Sequence, residues 1–175
     1  MKRKLVIAAA VIVALGAALW FAPPLQPDTR IANEIVIARP PQQVYDYVTT
    51  PANWPRWHPS SLAVRGATDH PLVVGESVVE EFIVAGRRGT VTWTVTAREP
   101  PVRWAIDGRN VDSRGGGTVT YTLQPESGGT RFTRLLTYHM PNALAGILDH
   151  FGVRERVAAE SAEAVSRLKA ALEKG

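Results

Sequence analysis

The sequence predicts an α+β architecture: a curved antiparallel sheet of about six or seven strands wrapped around a long C-terminal helix, with an N-terminal transmembrane helix in front. Three observations carry this expectation. An uncharged apolar run fills Leu5–Ala22, apolar and polar residues alternate with a period of two from Leu62 onward, and a helical period returns from Asn142.

The first run lies in "MKRKLVIAAAVIVALGAALWFAPP". Roughly 18 apolar residues at about 1.5 Å each approach the thickness of a hydrocarbon core. Lys2, Arg3 and Lys4 favour a cytoplasmic N-terminus, with Trp20 and Phe21 at the far interface, so the remaining chain is expected on the non-cytoplasmic side. The competing reading is a cleaved signal peptide with Gly16 to Ala18 as a small-residue exit. The apolar run continues past that point through Leu19, Trp20 and Phe21, which favours a retained anchor, residues 1–22. A buried soluble helix is disfavoured because the run is apolar on all sides. "PPLQPDTR", residues 23–30, reads as an extended Pro-rich linker that stops the helix and holds the domain off the bilayer.

The domain, 31–175, opens with a β-branched strand, "IANEIVIA". In "PPQQVYDYVTT", Pro41 suits a first helical turn, and Val44, Tyr45 and Val48 share one face. "PANWPRWHPSS" follows; Pro51, Pro55 and Pro59 restrict it to a turn or a second short helix. "TVTWTVTAR" sets Val91, Trp93 and Val95 on one face and threonines on the other. "VRWAID" repeats the pattern with Val102, Trp104 and Ile106, and "GTVTYTLQP" with Val119, Tyr121 and Leu123. Turn chemistry at "GRRG", "EPP", "RGGG" and "ESGG" makes these an antiparallel meander with one face on a core. The helical block carries Leu144, Ile147, Leu148 and Phe151, breaks near Gly152, and resumes through Val157, Val165, Leu168 and Leu172. That stripe is expected to pack on the apolar sheet face.

Composition narrows the chemistry. The net charge of +4 rests largely on Lys2, Arg3 and Lys4, and the other basic residues are interspersed with acids, so nucleic acid is not an expected partner. The absence of Cys excludes disulfides, cysteine nucleophiles, thiolate metal sites and a lipoprotein anchor. His58, His70, His139 and His150 show no close ligand spacing, so neither a metal nor another cofactor is expected. There is no GxSxG nucleophile elbow. "RGGGT" leads into a strand and lacks the helix terminus that phosphate binding needs. Glu80, Glu81, Asp149 and His150 have acid/base chemistry, but Glu80 and Glu81, adjacent on a strand, face opposite ways.

The order of elements resembles the helix-grip fold of the START-like (SRPBCC) superfamily, particularly its polyketide cyclase/dehydrase and lipid-transport-like branch. The resemblance rests on "ARPPQQVYDYVTTPANWPRWHPS", "TVTWTVTAREPPVRWAI" and "ESAEAVSRLKAALEKG", and spans roughly Ile31 to Gly175. It implies a cavity between sheet and helix that accepts a hydrophobic small molecule or lipid.

Ligand-binding candidates follow. Trp54 and Trp57 sit three apart and point the same way on a helical turn, either as plugs of the core or as a rigid lid, with His58 at the rim. Phe82, Trp93, Trp104, Tyr121 and Tyr138 are on groove-facing strand positions, each as core or cavity wall. Arg134, in phase with Phe132 and Leu136, pairs either with Glu80 or with an anionic head group; a register slip would turn both outward. No residue is assigned a catalytic role. Three functions remain: a membrane-tethered binder or carrier of a hydrophobic molecule, a cyclase/dehydrase-type enzyme assisted by His58 or by Arg134 with Glu80, and an envelope interaction module with a filled core.

Overall fold

A computed structural model of the chain describes residues 2–25 and 28–174. Gln26 and Pro27 of the expected linker lie outside the described residues. Helix α1 spans Lys2–Phe21 and buries none of its residues, as its all-round apolar surface dictates. Strand β1 (Thr29–Ile37) follows, then helix α2 (Pro41–Thr49), a 3-10 turn (Pro51–Asn53) and the single-turn helix α3 (Trp54–Trp57). Strands β2 (Ser61–Gly66), β3 (Ser77–Val84), β4 (Arg87–Glu99), β5 (Arg103–Asn110), β6 (Gly116–Glu126) and β7 (Gly129–His139) form the meander. Helix α4 (Ala143–Leu148), a π-type segment (Asp149–Val153) and helix α5 (Arg154–Glu173) complete the chain.

The expected helix-grip architecture is present, with seven strands in its sheet. All pairings are antiparallel, in the order β1-β7-β6-β5-β4-β3-β2, so the first strand returns to pair with the last. Helix α5 touches β1 on one side and β3 on the other, so the sheet curls round it. Its buried stripe, Val157, Ser161, Ala164, Val165, Leu168 and Leu172, meets the inward residues of the strands. Val91, Val95, Val119, Tyr121 and Leu123 are buried where the period of two places them.

Several expectations are corrected. Leu144 and Ile147 are partly buried, but Leu148 is 49% exposed on the outer side of α4, and Phe151 is 81% exposed where the chain leaves helical geometry at Phe151 and Gly152. Ala143 and Gly146 face inward instead. Gly152, at φ 139°, adopts a conformation that L side chains avoid, which is why the predicted break falls there. The start of α4 lies against the end of α1, where the Ala143 amide donates to the Ala22 carbonyl at 3.1 Å. Val102 lies in the turn before β5 and is exposed rather than in phase with Trp104. The β3–β4 turn falls at Ala85–Gly86, leaving the arginines of "GRRG" inside β4.

Candidate functional site

The aromatic residues divide the interior into a solid end and a hollow one. At the α2 end, Trp104 stacks on Tyr121 with centroids 5.4 Å apart and meets Trp54 edge-on at 6.2 Å. Tyr121 in turn tilts against Phe132 at 5.2 Å and faces the edge of Trp57 at 6.4 Å. The Trp54 indole donates to the Val48 carbonyl at 2.9 Å and the Trp104 indole to the Leu72 carbonyl at 3.4 Å, so two large side chains are fixed by backbone acceptors. Leu72, in the loop between β2 and β3, is fully buried here, and no periodicity in that loop marked it.

Toward the other end a cavity of about 240 Å³ remains between sheet and α5. Trp54, Trp57, His58, Tyr121 and Arg134 border it from the solid end; Glu80, Phe82, Trp93 and Tyr138 line its walls. Trp104 does not reach it. With no exposed surface and its indole on Leu72, it is core filling behind Tyr121.

Two cavity rings lie flat on glycines of the neighbouring strand. Phe82 pairs with Gly89 and Trp93 with Gly108 across the ladder. A Cβ on Gly108 would sit 2.3 Å from the Trp93 ring, and one on Gly89 would sit 2.5 Å from the Phe82 ring. Only an unsubstituted Cα lets each ring lie back on the sheet and leave the cavity empty. A glycine within an alternating strand is the sequence signal for such a seat.

The polar groups are few. Arg134, 5% exposed, donates from Nη1 to the Ser161 hydroxyl at 2.7 Å, and Ser161 donates onward to the Asn33 side-chain oxygen. Its Nη2 is 3.1 Å from His58 Nε2. A guanidinium has only donors, so that ring nitrogen accepts and His58 is neutral. Burial first, and the Arg134 charge second, hold the His58 pKa well below the ordinary histidine value.

Glu80 accepts the Trp93 indole N–H at 2.7 Å. Burial raises its pKa, while the Trp93 bond and the Arg134 charge pull it back. Both Arg134 and Glu80 face inward, but they form no ion pair among the described residues: β3 and β7 are separated by three strands, which puts the two groups on different walls. Burial also pushes the Tyr121 hydroxyl up to about 12. Two buried donors beside the cavity, Arg134 Nε and Trp57 Nε1, have no hydrogen-bond partner among the described residues. An unpaired buried donor costs about 1–3 kcal/mol, so this corner is chemically suited to an oxygen acceptor or anion brought by a guest.

Two clasps shape the hollow end. Buried Asp149 accepts from Tyr138 Oη at 2.7 Å and Thr29 Oγ1 at 3.1 Å, with Arg154 Nη2 at 3.3 Å. This ties the π-type segment to the ends of β1 and β7, and it makes Asp149 a structural acceptor. Burial and the Asp149 bond raise the Tyr138 pKa. Glu160 on α5 accepts from the Ala85 amide at 2.9 Å and the Ser60 hydroxyl at 3.0 Å, drawing the β3–β4 turn and the α3–β2 junction onto the helix. Nothing local in the sequence distinguishes Glu160 from the exposed acids around it. Among the described residues no cluster of three His, Cys, Asp or Glu side chains is arranged to hold a metal.

Residues 28–173 match the family model described as polyketide cyclase / dehydrase and lipid transport. No curated protein matches significantly. Solved structures share the fold. A Rhodobacter sphaeroides protein is 24% identical, with a TM-score of 0.62 over 83% of this chain and 93% of its own. A Mycobacterium smegmatis protein is 24% identical, with a TM-score of 0.59 over 86% of this chain and 99% of its own. DynU16, a protein of the dynemicin biosynthetic locus, is 19% identical at a TM-score of 0.58; 85% of this chain covers 49% of it. The resemblance read from the sequence is borne out.

Proposed function

Because this chain belongs to the polyketide cyclase / dehydrase and lipid transport family, we propose that it binds or carries a hydrophobic, lipid-like small molecule in the sheet–helix cavity while α1 tethers it to a membrane. The observation that carries the reading is a mostly apolar cavity of about 240 Å³ with a buried arginine whose Nε has no partner among the described residues. Such a lining excludes strongly hydrated guests and favours an apolar body with one acceptor group at Arg134 and Trp57. An interaction module with a filled core predicts no such space. The tether reading rests on the 20 residues of α1, about 30 Å of helix, and on the flanking Lys2, Arg3 and Lys4, which favour an N-terminus in the cytoplasm and the domain on the other side.

Native mass spectrometry of the full chain, extracted in mild detergent, tests the proposal. A defined apolar mass retained by the wild type and lost from Arg134→Ala is the expected result. An apo mass, with no thermal shift across a panel of lipids and polyketide-like compounds, overturns it. One observation favours a second reading, turnover of the guest: a carboxyl held up in pKa, Glu80, and an imidazole held down, His58, border one cavity. Chemical change of the captured mass that stops in Glu80→Gln, with the mass still bound, would identify this activity.

A further inference from the structure

We propose that the end of the domain nearest α1 is a docking face for an anionic lipid bilayer, and that the cavity opens onto that face. The inference rests on the tether reading and adds a second membrane contact to it.

The antiparallel register brings the relevant segments together. Thr29 pairs with Tyr138, Gly116 with both His139 and Arg109, Asn110 with Val91, and Arg87 with Val84. The β3–β4 turn, the β5–β6 turn, the start of β1 and the β7–α4 link therefore share one end of the sheet. Helix α1 finishes at the same end, where the Ala22 carbonyl accepts from the Ala143 amide. The cavity runs out here too, bordered by Val84, Asn110, Met140, Pro141 and Val153. The opposite end is sealed by Trp54, Trp104 and buried Leu72.

Two kinds of side chain project from this end. Phe151 at 81%, Val111 at 60% and Leu148 at 49% exposure are the apolar side chains presented at this end, where α1 also ends with exposed Trp20 and Phe21. Arg87, Arg88 and Arg114 on the two hairpins are exposed and take part in no ion pair among the described residues; the exposed acids at this end are Asp28 before β1, Asp112 in the β5–β6 turn and Glu155 at the start of α5. Exposed apolar side chains together with cations are the composition of a surface that lies in the headgroup region of an anionic membrane. A bilayer fits better than a protein partner because the anchor ends one hydrogen bond away from α4, which keeps this face at the membrane surface. A guest leaving the bilayer would then enter the cavity without crossing water.

The Cys-free chain makes the test direct. Full-length Phe151→Cys, Leu148→Cys, Val102→Cys and Val13→Cys variants, each spin-labelled, are reconstituted in phosphatidylcholine vesicles with and without phosphatidylglycerol. Collision with oxygen and with a water-soluble nickel chelate is then measured by electron paramagnetic resonance. The expected result is a severalfold higher oxygen-to-nickel ratio at 148 and 151 than at 102. That ratio should fall when phosphatidylglycerol is omitted or when Arg87, Arg88 and Arg114 are changed to Glu.

If 148 and 151 match 102 while 13 is embedded, docking is overturned and the tether stands. If 13 is also aqueous, the tether reading fails and docking with it. Labels at 148 and 151 shielded from both probes would overturn the proposal in favour of a protein partner. Embedding that ignores lipid charge and charge reversal would overturn the anionic preference.

Discussion

Replacing His58 by Gln removes one titration and leaves an acceptor for Arg134. In the folded protein burial and Arg134 hold this imidazole neutral well below its ordinary value, whereas in the unfolded chain it takes up a proton near pH 6.5. The unfolded state thus binds more protons below about pH 6.5, and His58 lowers stability as pH falls through that window. For an imidazole that stays neutral in the folded protein the penalty grows by up to about 1.4 kcal/mol between pH 7.5 and 5.5. His70 acts in the opposite sense, since its hydrogen bonds to exposed Asp69 and Glu76 raise its pKa and favour the folded state at low pH. Glu80, with a raised pKa, favours the folded state below its unfolded value and loses that contribution as pH rises. Both are common to the two proteins and cancel in the difference. Urea unfolding of full-length wild type and His58→Gln in mild detergent, followed by near-UV circular dichroism across this range, measures it. Wild type is expected to lose up to about 1.4 kcal/mol more than the variant on acidification. Parallel pH profiles would refute the assignment of a buried neutral His58 under the influence of Arg134.

Leu168→Ala removes a fully buried contact at the centre of the α5 stripe; a loss of about 2–5 kcal/mol is expected from the shift in urea midpoint at constant slope. Gly108→Ala drives a Cβ to 2.3 Å from the Trp93 ring, so the ring must lift into the cavity and strain its bond to Glu80. The expected outcome is a protein that folds but retains less apolar guest in native mass spectrometry. Asp149→Ala leaves Tyr138 Oη and Thr29 Oγ1 without their acceptor and frees Arg154. A cost of about 1–3 kcal/mol is expected, with faster amide exchange confined to the α4 and π-type segments.

The strands and helices were legible because their signals are local. Alternation in "TVTWTVTAR" and the 3.6-residue stripe of α5 each report which side of one element meets apolar neighbours, and burial follows both. The inward phase of Arg134 and Glu80 came from the same alternation. The π-type segment shows where that logic stops. Leu148 and Phe151 continue the apolar stripe on paper, but α4 turns Ala143 and Gly146 inward, leaving Leu148 outside, and Phe151 is exposed where the backbone leaves helical geometry at Phe151 and Gly152.

The candidate site was legible as a set of residue types and not as a space. Trp104 and Trp93 occupy equivalent inward positions on neighbouring strands, yet one is packed solid and the other lines a cavity. The distinction depends on what arrives from far along the chain: Leu72 and Trp54 beside Trp104, and Gly108 beneath Trp93. Likewise, Arg134 was free in sequence terms to meet Glu80, and only the strand order places them on separate walls, leaving Ser161 and His58 as its partners. By itself the sequence determined the elements, their order and the apolar N-terminal helix, because hydrophobic periodicity and chain stiffness act over a few residues. Only the tertiary structure decided where the interior is full and where it is hollow, because that balance of volumes is set by residues distant in the chain meeting across the sheet.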